Sequence, residues 1–156
     1  MQGIREARPE EAKLLAAVQE SASVAALGHI FPPELYPYPR AAVHARWTAA
    51  AADPATRTLI ALSDKEPVGA ACVSKEWLEG LYVVPARWGT GLAHELHGRA
   101  LEVVRDLGSA RCQLWVLEDN TRARRFYERR GWRLNGSERV VPFPPHPLDI
   151  GYTKEL

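Results

Sequence analysis

The segment 81–107 constrains the fold of this chain more than any other. It opens with the apolar run Leu-Tyr-Val-Val, which predicts a buried strand that ends at Pro85, because proline has no N–H to donate to a ladder. From Leu92 onward, apolar residues recur at helical spacing, which predicts a long amphipathic helix. Gly89 and Gly91 lie between the two elements. The segment therefore predicts a strand, a tight turn and a helix in direct succession.

The turn of this segment is typical of a phosphate-binding loop. Two glycines let the backbone approach a ligand closely, and the first N–H groups of a helix lack partners within the helix and favour an anion. A dinucleotide-binding fingerprint would need glycine or alanine where this chain has His94, and a P-loop would need a Gly-Lys-Ser/Thr ending that is absent. The turn therefore predicts a phosphate cradle of a different type.

A second segment, 114–132, contains an apolar strand, a polar turn, a helix and a glycine stop. Asn120, Ala123 and Tyr127 are spaced i, i+3 and i+7, so they share one face of that helix. From the residues alone, Asn120 is typical of a helix N-cap and Tyr127 of a core aromatic.

Together the two segments resemble the signature of the Gcn5-related N-acetyltransferases, the GNAT family. In that family a Val-Pro strand end precedes an Arg/Gln-x-x-Gly-x-Gly/Ala turn, whose backbone amides bind the pyrophosphate of acetyl-CoA. The six places of that turn are filled here by Trp88, Gly89, Thr90, Gly91, Leu92 and Ala93. The later motif of the family has Asn, Ala, Tyr and a Gly-aromatic pair at the spacing found in segment 114–132. Trp88 departs from the usual Arg/Gln, and Arg87 lies one residue earlier.

The resemblance implies an α+β fold, a mixed β-sheet flanked by helices, with elements in the order βααβββαβαββ. The residue patterns of this chain predict the same order. We expect strands near 4–8, 58–63, 68–74, 77–84, 111–117, 132–141 and 148–154, and helices near 9–27, 41–52, 92–107 and 121–130. The length suits a single domain over residues 1–156.

The resemblance also implies a function, the transfer of the acetyl group of acetyl-CoA to an amine by direct attack on the thioester. The alternative on the same fold is a non-catalytic module that binds or senses acyl-CoA, since a fold alone does not guarantee turnover. The reaction needs a donor to the carbonyl oxygen, an acid for the leaving thiolate and a way to deprotonate the amine.

Residues of both segments are assigned to acetyl-CoA by the resemblance. The donor to the carbonyl oxygen is a backbone N–H at or beside Val83, and the same strand edge pairs with the pantetheine amides. The predicted cofactor-binding set is Leu81, Tyr82, Val83, Trp88, Gly89, Thr90, Gly91, Leu92, Ala93, Asn120, Arg124 and Tyr127. Arg124 belongs to this set as a partner for the 3′-phosphate. Arg122 is the alternative partner, although a basic cluster of this kind is usually a solvated face.

Tyr127 and Glu79 are the candidate catalytic residues. An unperturbed phenol titrates near 10, so Tyr127 keeps its proton at neutral pH and can donate it to a thiolate. Alternation along the strand puts Glu79 on the side of Leu81 and Val83 if no bulge intervenes. Family members often carry a carboxylate two residues earlier, at Trp77 here. A solvated charge at Glu79, a water relay or the lack of a dedicated base are the alternatives.

Two loops rich in proline and aromatic rings, 28–39 and 142–147, are expected to form the walls of an acceptor site. Glu34 is a candidate anchor for the acceptor amine, and Tyr36 is a candidate wall residue. The expected acceptor is a small-molecule or peptide amine. The sequence leaves its identity open, and it leaves a homodimer open as well.

Composition argues against other partners. A formal net charge of +1 and a pI near 7.9 give no global field for nucleic acid or a membrane surface, so a basic helix that binds RNA or DNA is only a third functional class. No apolar run approaches the length of a membrane span. His94 and His97 lack the spacing of a zinc-binding helix, so no metal is expected. Cys72 and Cys112 lie in apolar runs, as is typical of reduced thiols in a cytoplasmic protein.

Overall fold

The computed structural model describes residues 2–156. Within them the strands are β1 (Gln2–Glu6), β2 (Thr56–Ser63), β3 (Glu66–Ser74), β4 (Trp77–Val83), β5 (Arg111–Leu117), β6 (Arg133–Val140) and β7 (Leu148–Glu155). The α-helices are α1 (Ala12–Leu27), α2 (Arg40–Ala52), α3 (Leu92–Asp106) and α4 (Thr121–Glu128), and short 3₁₀ turns cover Pro9–Glu11 and Pro85–Arg87. The predicted element order βααβββαβαββ is confirmed.

All seven of these strands form one sheet, in the order β1-β2-β3-β4-β5-β7-β6. Neighbouring strands are antiparallel except β4 and β5, which are parallel. The β2–β3 hairpin turns at Asp64 and Lys65, whose φ angles are 48° and 71°, as a turn with two left-handed residues requires. The sheet is therefore mixed, as predicted, and mostly antiparallel.

The first strand ends two residues earlier than predicted because the chain changes direction at Arg8. The backbone N–H of Arg8 donates to a carboxylate oxygen of Glu11 at 2.7 Å. The guanidinium of Arg5 donates to both oxygens of the same carboxylate at 2.8 Å. These bonds hold Arg8 at the start of the 3₁₀ turn, so it cannot continue the strand.

Helices cover both faces of the sheet. Leu59 and Ala61 of β2 belong to one core cluster, and Ile60 between them belongs to another, as side-chain alternation requires. The first cluster contains the buried side chains of α3 and α4, among them Leu92, Leu96, Ala100, Leu101, Val104 and Tyr127. The second contains those of α1 and α2, among them Leu15, Val18, Val43 and Trp47.

β4 and β5 separate soon after they begin. Among the described residues, the ladder between them pairs only Trp77 with Gln113, and the Gln113 N–H also donates to the carbonyl oxygen of Glu76 at 2.7 Å. Parallel neighbours normally share evenly spaced hydrogen bonds along their length. The remaining length of the two strands therefore leaves a gap in the sheet, toward Val83 and Leu117.

A bulge interrupts β4 beside this gap. In the ladder with β3 the pairing shifts by one residue between Cys72 and Val73, which leaves Glu79 as the extra residue of β4. A bulge resets the alternation of side chains between the two faces. Glu79 therefore does not share the face of Leu81 and Val83, and the face predicted by simple alternation is wrong.

Candidate active site

A cavity of about 180 Å³ lies at the gap between β4 and β5, and we call it the cofactor cavity. It is lined by seven residues of the predicted cofactor-binding set: Leu81, Tyr82, Val83, Trp88, Ala93, Asn120 and Tyr127. Another wall comes from α1, through Ala22, Ser23, Ala26 and Leu27. The sequence predictions missed this wall. The run of small residues in the second half of α1 is the signal that could have indicated it, because small side chains let a ligand approach a helix.

The edge of β4 that faces the gap carries backbone groups without strand partners. The Val84 N–H donates to the Val68 carbonyl oxygen of β3 at 3.0 Å. Backbone groups of successive residues alternate between the two strand edges, so those of Val83 and Leu81 point toward β5. The β4–β5 ladder does not reach them within residues 2–156. The Val83 carbonyl accepts the indole N–H of Trp88 at 2.8 Å, and the N–H groups of Val83 and Leu81 face the gap.

The turn before α3 has the backbone shape of an anion cradle. Gly89 and Gly91 have φ angles of 76° and 89°, and a Cβ on either would meet no atom within 4 Å. The Thr90 hydroxyl donates to the Arg87 carbonyl and closes the turn. The side chain of Leu92 is buried in the core, so only its backbone is available to a ligand. The open space and the free N–H groups of the first helical turn fit a pyrophosphate.

Asn120 and Tyr127 reach the cofactor cavity from one face of α4. The Asn120 side-chain oxygen accepts the backbone N–H of Ala123 at 3.3 Å, so Asn120 caps the helix and lines the cavity as well. Tyr127 is 9% exposed, and its ring centroid lies 5.3 Å from that of Phe126 and 5.7 Å from that of Trp132. Burial raises the pKa of its phenol. The N-cap of Asn120 and the core packing of Tyr127 are therefore compatible with a place in the cavity wall.

Arg122 lines the cofactor cavity, and Arg124 does not. The guanidinium carbon of Arg122 lies 3.5 Å from the centroid of the Trp88 ring, and burial lowers the pKa of the guanidinium. Arg124 donates instead to the Tyr152 hydroxyl and to the Glu118 carbonyl oxygen, both at 3.0 Å. Of the two arginines considered for the 3′-phosphate, the geometry favours Arg122.

Glu79 lies in a neighbouring cavity of about 270 Å³, the Glu79 cavity. Tyr82 lines both this cavity and the cofactor cavity, so the two adjoin at β4. Burial raises the pKa of the Glu79 carboxyl, and the charge of Arg139 partly offsets this effect. Trp77, at the place where the family often has a carboxylate, stacks on Trp115 with ring centroids 6.2 Å apart. Glu79 is therefore suited to accept a proton but does not line the cofactor cavity.

The two proline-rich loops meet around a third cavity of about 620 Å³, which we call the acceptor cavity. Phe31 of one loop and Phe143 of the other have ring centroids 5.8 Å apart. Tyr36 lines the cavity as expected, whereas Glu34 is exposed and is not among the lining residues. Leu27 of α1 lines both this cavity and the cofactor cavity. The geometry therefore gives no support to Glu34 as an anchor.

The two histidines of α3 have protein partners. The Trp132 indole N–H donates to Nε2 of His97 at 2.9 Å, and the Arg130 Nε–H donates to Nδ1 of His94 at 3.0 Å. Within residues 2–156, no cluster of three or more His, Cys, Asp or Glu side chains could hold a metal ion. None of the helices in this part of the chain combines the length and the apolar character that a membrane span needs.

A family model decides the relationship of this chain to known proteins. The model of the acetyltransferase (GNAT) family matches residues 23–132, which contain the gap, the glycine turn and α4. The chain belongs to the GNAT family. An uncharacterised N-acetyltransferase of Mycobacterium tuberculosis (strain ATCC 25618 / H37Rv) is 32% identical over 117 residues, which are 72% of this chain and 75% of that protein.

Solved GNAT structures share the fold at low sequence identity. The PaiA N-acetyltransferase from Thermoplasma acidophilum, in complex with coenzyme A, has a TM-score of 0.74 and 17% identity, and the match covers 100% of this chain and 99% of that chain. A GCN5-related N-acetyltransferase from Rhodopseudomonas palustris has a TM-score of 0.76 and 21% identity, with 100% and 96% covered. The α+β fold predicted from the sequence is thus that of known GNAT proteins.

Proposed function

We propose that this GNAT protein transfers the acetyl group of acetyl-CoA to the amine of a small-molecule or peptide acceptor. The observation that carries the proposal is the cofactor cavity, which is lined by Leu81 and Val83 at the open edge of β4, by Tyr127, and by Trp88 and Ala93 on either side of the glycine turn. Membership of an acetyltransferase family and the coenzyme A bound to the PaiA structure support it.

The residues around the cavity fit such a cofactor. The N–H groups of Leu81 and Val83 face the gap, where the amides of a pantetheine arm would extend the sheet as an added strand. The N–H groups of the glycine turn and of the first turn of α3 would hold the pyrophosphate. Arg122, at the cavity wall, is the cation that would pair with the remaining phosphate. Acetyl-CoA supplies the activated acetyl thioester.

Three groups of this chain serve the reaction. The Val83 N–H donates to the thioester carbonyl oxygen, where negative charge develops as the amine attacks. The amine nitrogen forms the new C–N bond with the carbonyl carbon. The C–S bond then breaks, and the electron pair of that bond leaves on sulfur. Tyr127, which its raised pKa keeps protonated, gives its proton to that sulfur. Glu79 takes the proton released by the amine through water between the adjoining cavities, and solvent restores the proton of Tyr127.

Cofactor binding is tested by thermal unfolding. A ligand present at about a hundred times its Kd stabilises the fold by roughly 2.7 kcal/mol. For a domain of this size we expect acetyl-CoA to raise Tm by about 5–10 °C, and NAD or ATP to raise it much less. An equal shift with NAD, or no shift with acetyl-CoA, contradicts the proposal.

Turnover is tested by the release of the CoA thiol over a panel of amines, amino acids, aminoglycosides and peptides. The proposal expects amine-dependent release with at least one class. A Tm shift with acetyl-CoA and no turnover over the whole panel favours the sensing module instead.

A further inference from the structure

The acceptor cavity is apolar and has a single charged lining residue. Its walls are mostly aromatic rings, prolines and aliphatic side chains of α1, α2 and the two proline-rich loops. Arg46 of α2 is the charged residue among them, and none of the described lining residues is a carboxylate. A volume of about 620 Å³ is within the range of small-ligand sites and exceeds what one ring needs. The cavity therefore suits a ligand with an apolar body and at least one negative group.

Arg46 is available to bind such a group. None of the ion pairs within residues 2–156 includes Arg46, whereas Arg40 on the same helix pairs with Glu20 at 2.7 Å. Arg46 lines both the acceptor cavity and the Glu79 cavity. A guanidinium presents its N–H groups as a planar fork that matches the two oxygens of a carboxylate.

Two further lining residues, Tyr38 and Gln19, carry polar groups. The Tyr38 hydroxyl is buried and has no hydrogen-bond partner among the described residues. Burial raises the pKa of Tyr38 to about 12, so the hydroxyl donates and does not ionise near neutral pH. The side-chain oxygen of Gln19 accepts the Trp47 indole N–H at 2.7 Å, which leaves the NH₂ of Gln19 as its remaining polar group. Buried polar groups are nearly always hydrogen-bonded, and a buried water can satisfy the Tyr38 hydroxyl, so Arg46 is the group left to bind a ligand anion.

From Arg46 and the apolar lining we propose that the acceptor is a primary amine that carries an apolar, ring-sized body and a carboxylate, and that Arg46 binds the carboxylate. This inference rests on the proposed acetyl transfer and names its substrate class. Ser23 and Leu27 line both the acceptor and the cofactor cavities, so the amine of a ligand seated on Arg46 has a path to the thioester. There its nitrogen forms the C–N bond as the C–S bond breaks, one amine proton is lost to water or Glu79, and Tyr127 protonates the sulfur.

Polycationic amines do not fit the same cavity. Polyamines and aminoglycosides carry several ammonium groups, and each would need a carboxylate or a set of acceptor oxygens on burial. None of the described lining residues is a carboxylate, and the positive charge of Arg46 repels ammonium groups.

The experiment compares matched acceptors on wild type and on Arg46→Gln. The probes are L-phenylalanine and 4-(aminomethyl)benzoate, each beside its uncharged carboxamide, together with spermidine. Arg105→Gln is the control, since Arg105 is an exposed arginine on α3 away from all three cavities. For wild type we expect kcat/KM for at least one carboxylate to exceed that for its amide by about tenfold or more, and spermidine to be the poorest.

The substitution should act on the carboxylate alone. Arg46→Gln should lower kcat/KM for the carboxylate acceptor by about tenfold to a hundredfold, through KM, and leave the amide within about threefold. Arg105→Gln should change neither. Equal losses for acid and amide in Arg46→Gln, or faster acetylation of spermidine than of either acid, overturn the inference.

Two binding measurements separate this inference from the proposed function. The Tm shift with acetyl-CoA is measured for every variant and should not depend on Arg46. Binding of N-acetyl-L-phenylalanine and 4-(acetamidomethyl)benzoate to the cofactor-free protein is measured by calorimetry, and at least one should bind wild type about tenfold more tightly than Arg46→Gln. A missing acetyl-CoA shift with retained Arg46-dependent binding refutes the proposed function and supports the ligand class. A normal acetyl-CoA shift without Arg46-dependent binding refutes the ligand class alone.

Discussion

At the scale of single residues, Tyr127 is a packed aromatic to which we also assign the catalytic proton. Its ring packs on Phe126 and Trp132, and the residue also lines the cofactor cavity. The ring carries the packing, and the hydroxyl would carry the proposed proton donation. A substitution that removes only the oxygen therefore distinguishes the two roles.

We expect Tyr127→Phe to lower kcat by roughly 10²–10⁴ while the acetyl-CoA shift in Tm is retained. The loss of stability should not exceed that of one hydrogen bond, about 0.5–1.5 kcal/mol. The proposed mechanism requires the protonated phenol, so the wild-type rate should fall at alkaline pH as the phenol ionises. Burial raises the pKa of Tyr127, which places that fall above pH 10. The measurement is the pH profile of kcat, and the alkaline arm should change in the mutant.

Tyr152→Phe is the matched control. The Tyr152 hydroxyl donates to Glu128 and accepts a hydrogen bond from Arg124 at 3.0 Å, and Tyr152 does not line the cofactor cavity. This variant should lose stability and keep kcat. Normal turnover in Tyr127→Phe, with an unaltered alkaline arm, would return Tyr127 to a purely structural role.

At the scale of elements, local rules predicted the backbone geometry where neighbours along the chain determine it. The glycine turn, the cap at Asn120 and the shared face of Asn120 and Tyr127 each depend on residues within two helical turns. Two outcomes depended on distant partners. The bulge at Glu79 is defined by the register of β4 against β3. Arg124 donates to the hydroxyl of Tyr152, which lies 28 residues away in sequence, and does not line the cavity. Spacing within one segment carries no information on either contact.

The walls of one cavity were predicted from composition. Prolines and rings concentrated in two loops indicated a walled site, and the loops do meet at Phe31 and Phe143. Arg46 had no local signal, because an exposed arginine on a helix is usually a solvated charge. Only the packing of α2 beside both loops makes Arg46 part of the cavity.

The two ends of α3 offer a test of the cradle. Gly91 and Gly108 flank the helix with φ angles of 89° and 95°, and a Cβ on either would meet no atom within 4 Å. Aspartate at each position should therefore cost a similar amount of stability, about 1–2 kcal/mol, through the left-handed backbone. Only Gly91→Asp places a carboxylate where a pyrophosphate would bind.

We expect Gly91→Asp to abolish the rise in Tm caused by acetyl-CoA and Gly108→Asp to retain it. Both variants are compared by thermal unfolding with and without ligand, at equal protein concentration. A retained shift in Gly91→Asp, or a loss in both variants, would argue against pyrophosphate binding at this turn.

At the scale of the whole molecule, two buried titratable groups make stability depend on pH in separate windows. The Trp132 indole N–H donates to Nε2 of His97, so protonation of that nitrogen would break the bond inside an apolar core. Burial, together with the charge of Arg130, lowers the pKa of His97 to about 4. The Arg5 guanidinium, bonded to Glu11, lowers the pKa of that carboxyl to about 2.

The sign of each contribution follows from which state binds more protons. Between pH 6.5 and about 4 the unfolded chain protonates His97 and the folded chain does not, so the free energy of unfolding falls as pH falls through this window. The total is on the order of 3 kcal/mol. Glu11 contributes stability above pH 4.5, which is lost as pH falls from 4.5 toward 2. Urea unfolding at closely spaced pH values should show two successive declines.

Variants assign each decline to its group. His97→Phe keeps a ring among its aromatic neighbours, and although it costs stability at neutral pH, it should flatten the decline between pH 6.5 and 4. Glu11→Gln should flatten the decline below pH 4.5 and leave the upper one unchanged. His44→Gln is the control for the loss of a histidine, since His44 is exposed on α2, and it should retain both declines. If His97→Phe retains the full upper decline, a different group titrates there, and the hydrogen bond from Trp132 does not set the pH dependence of the core.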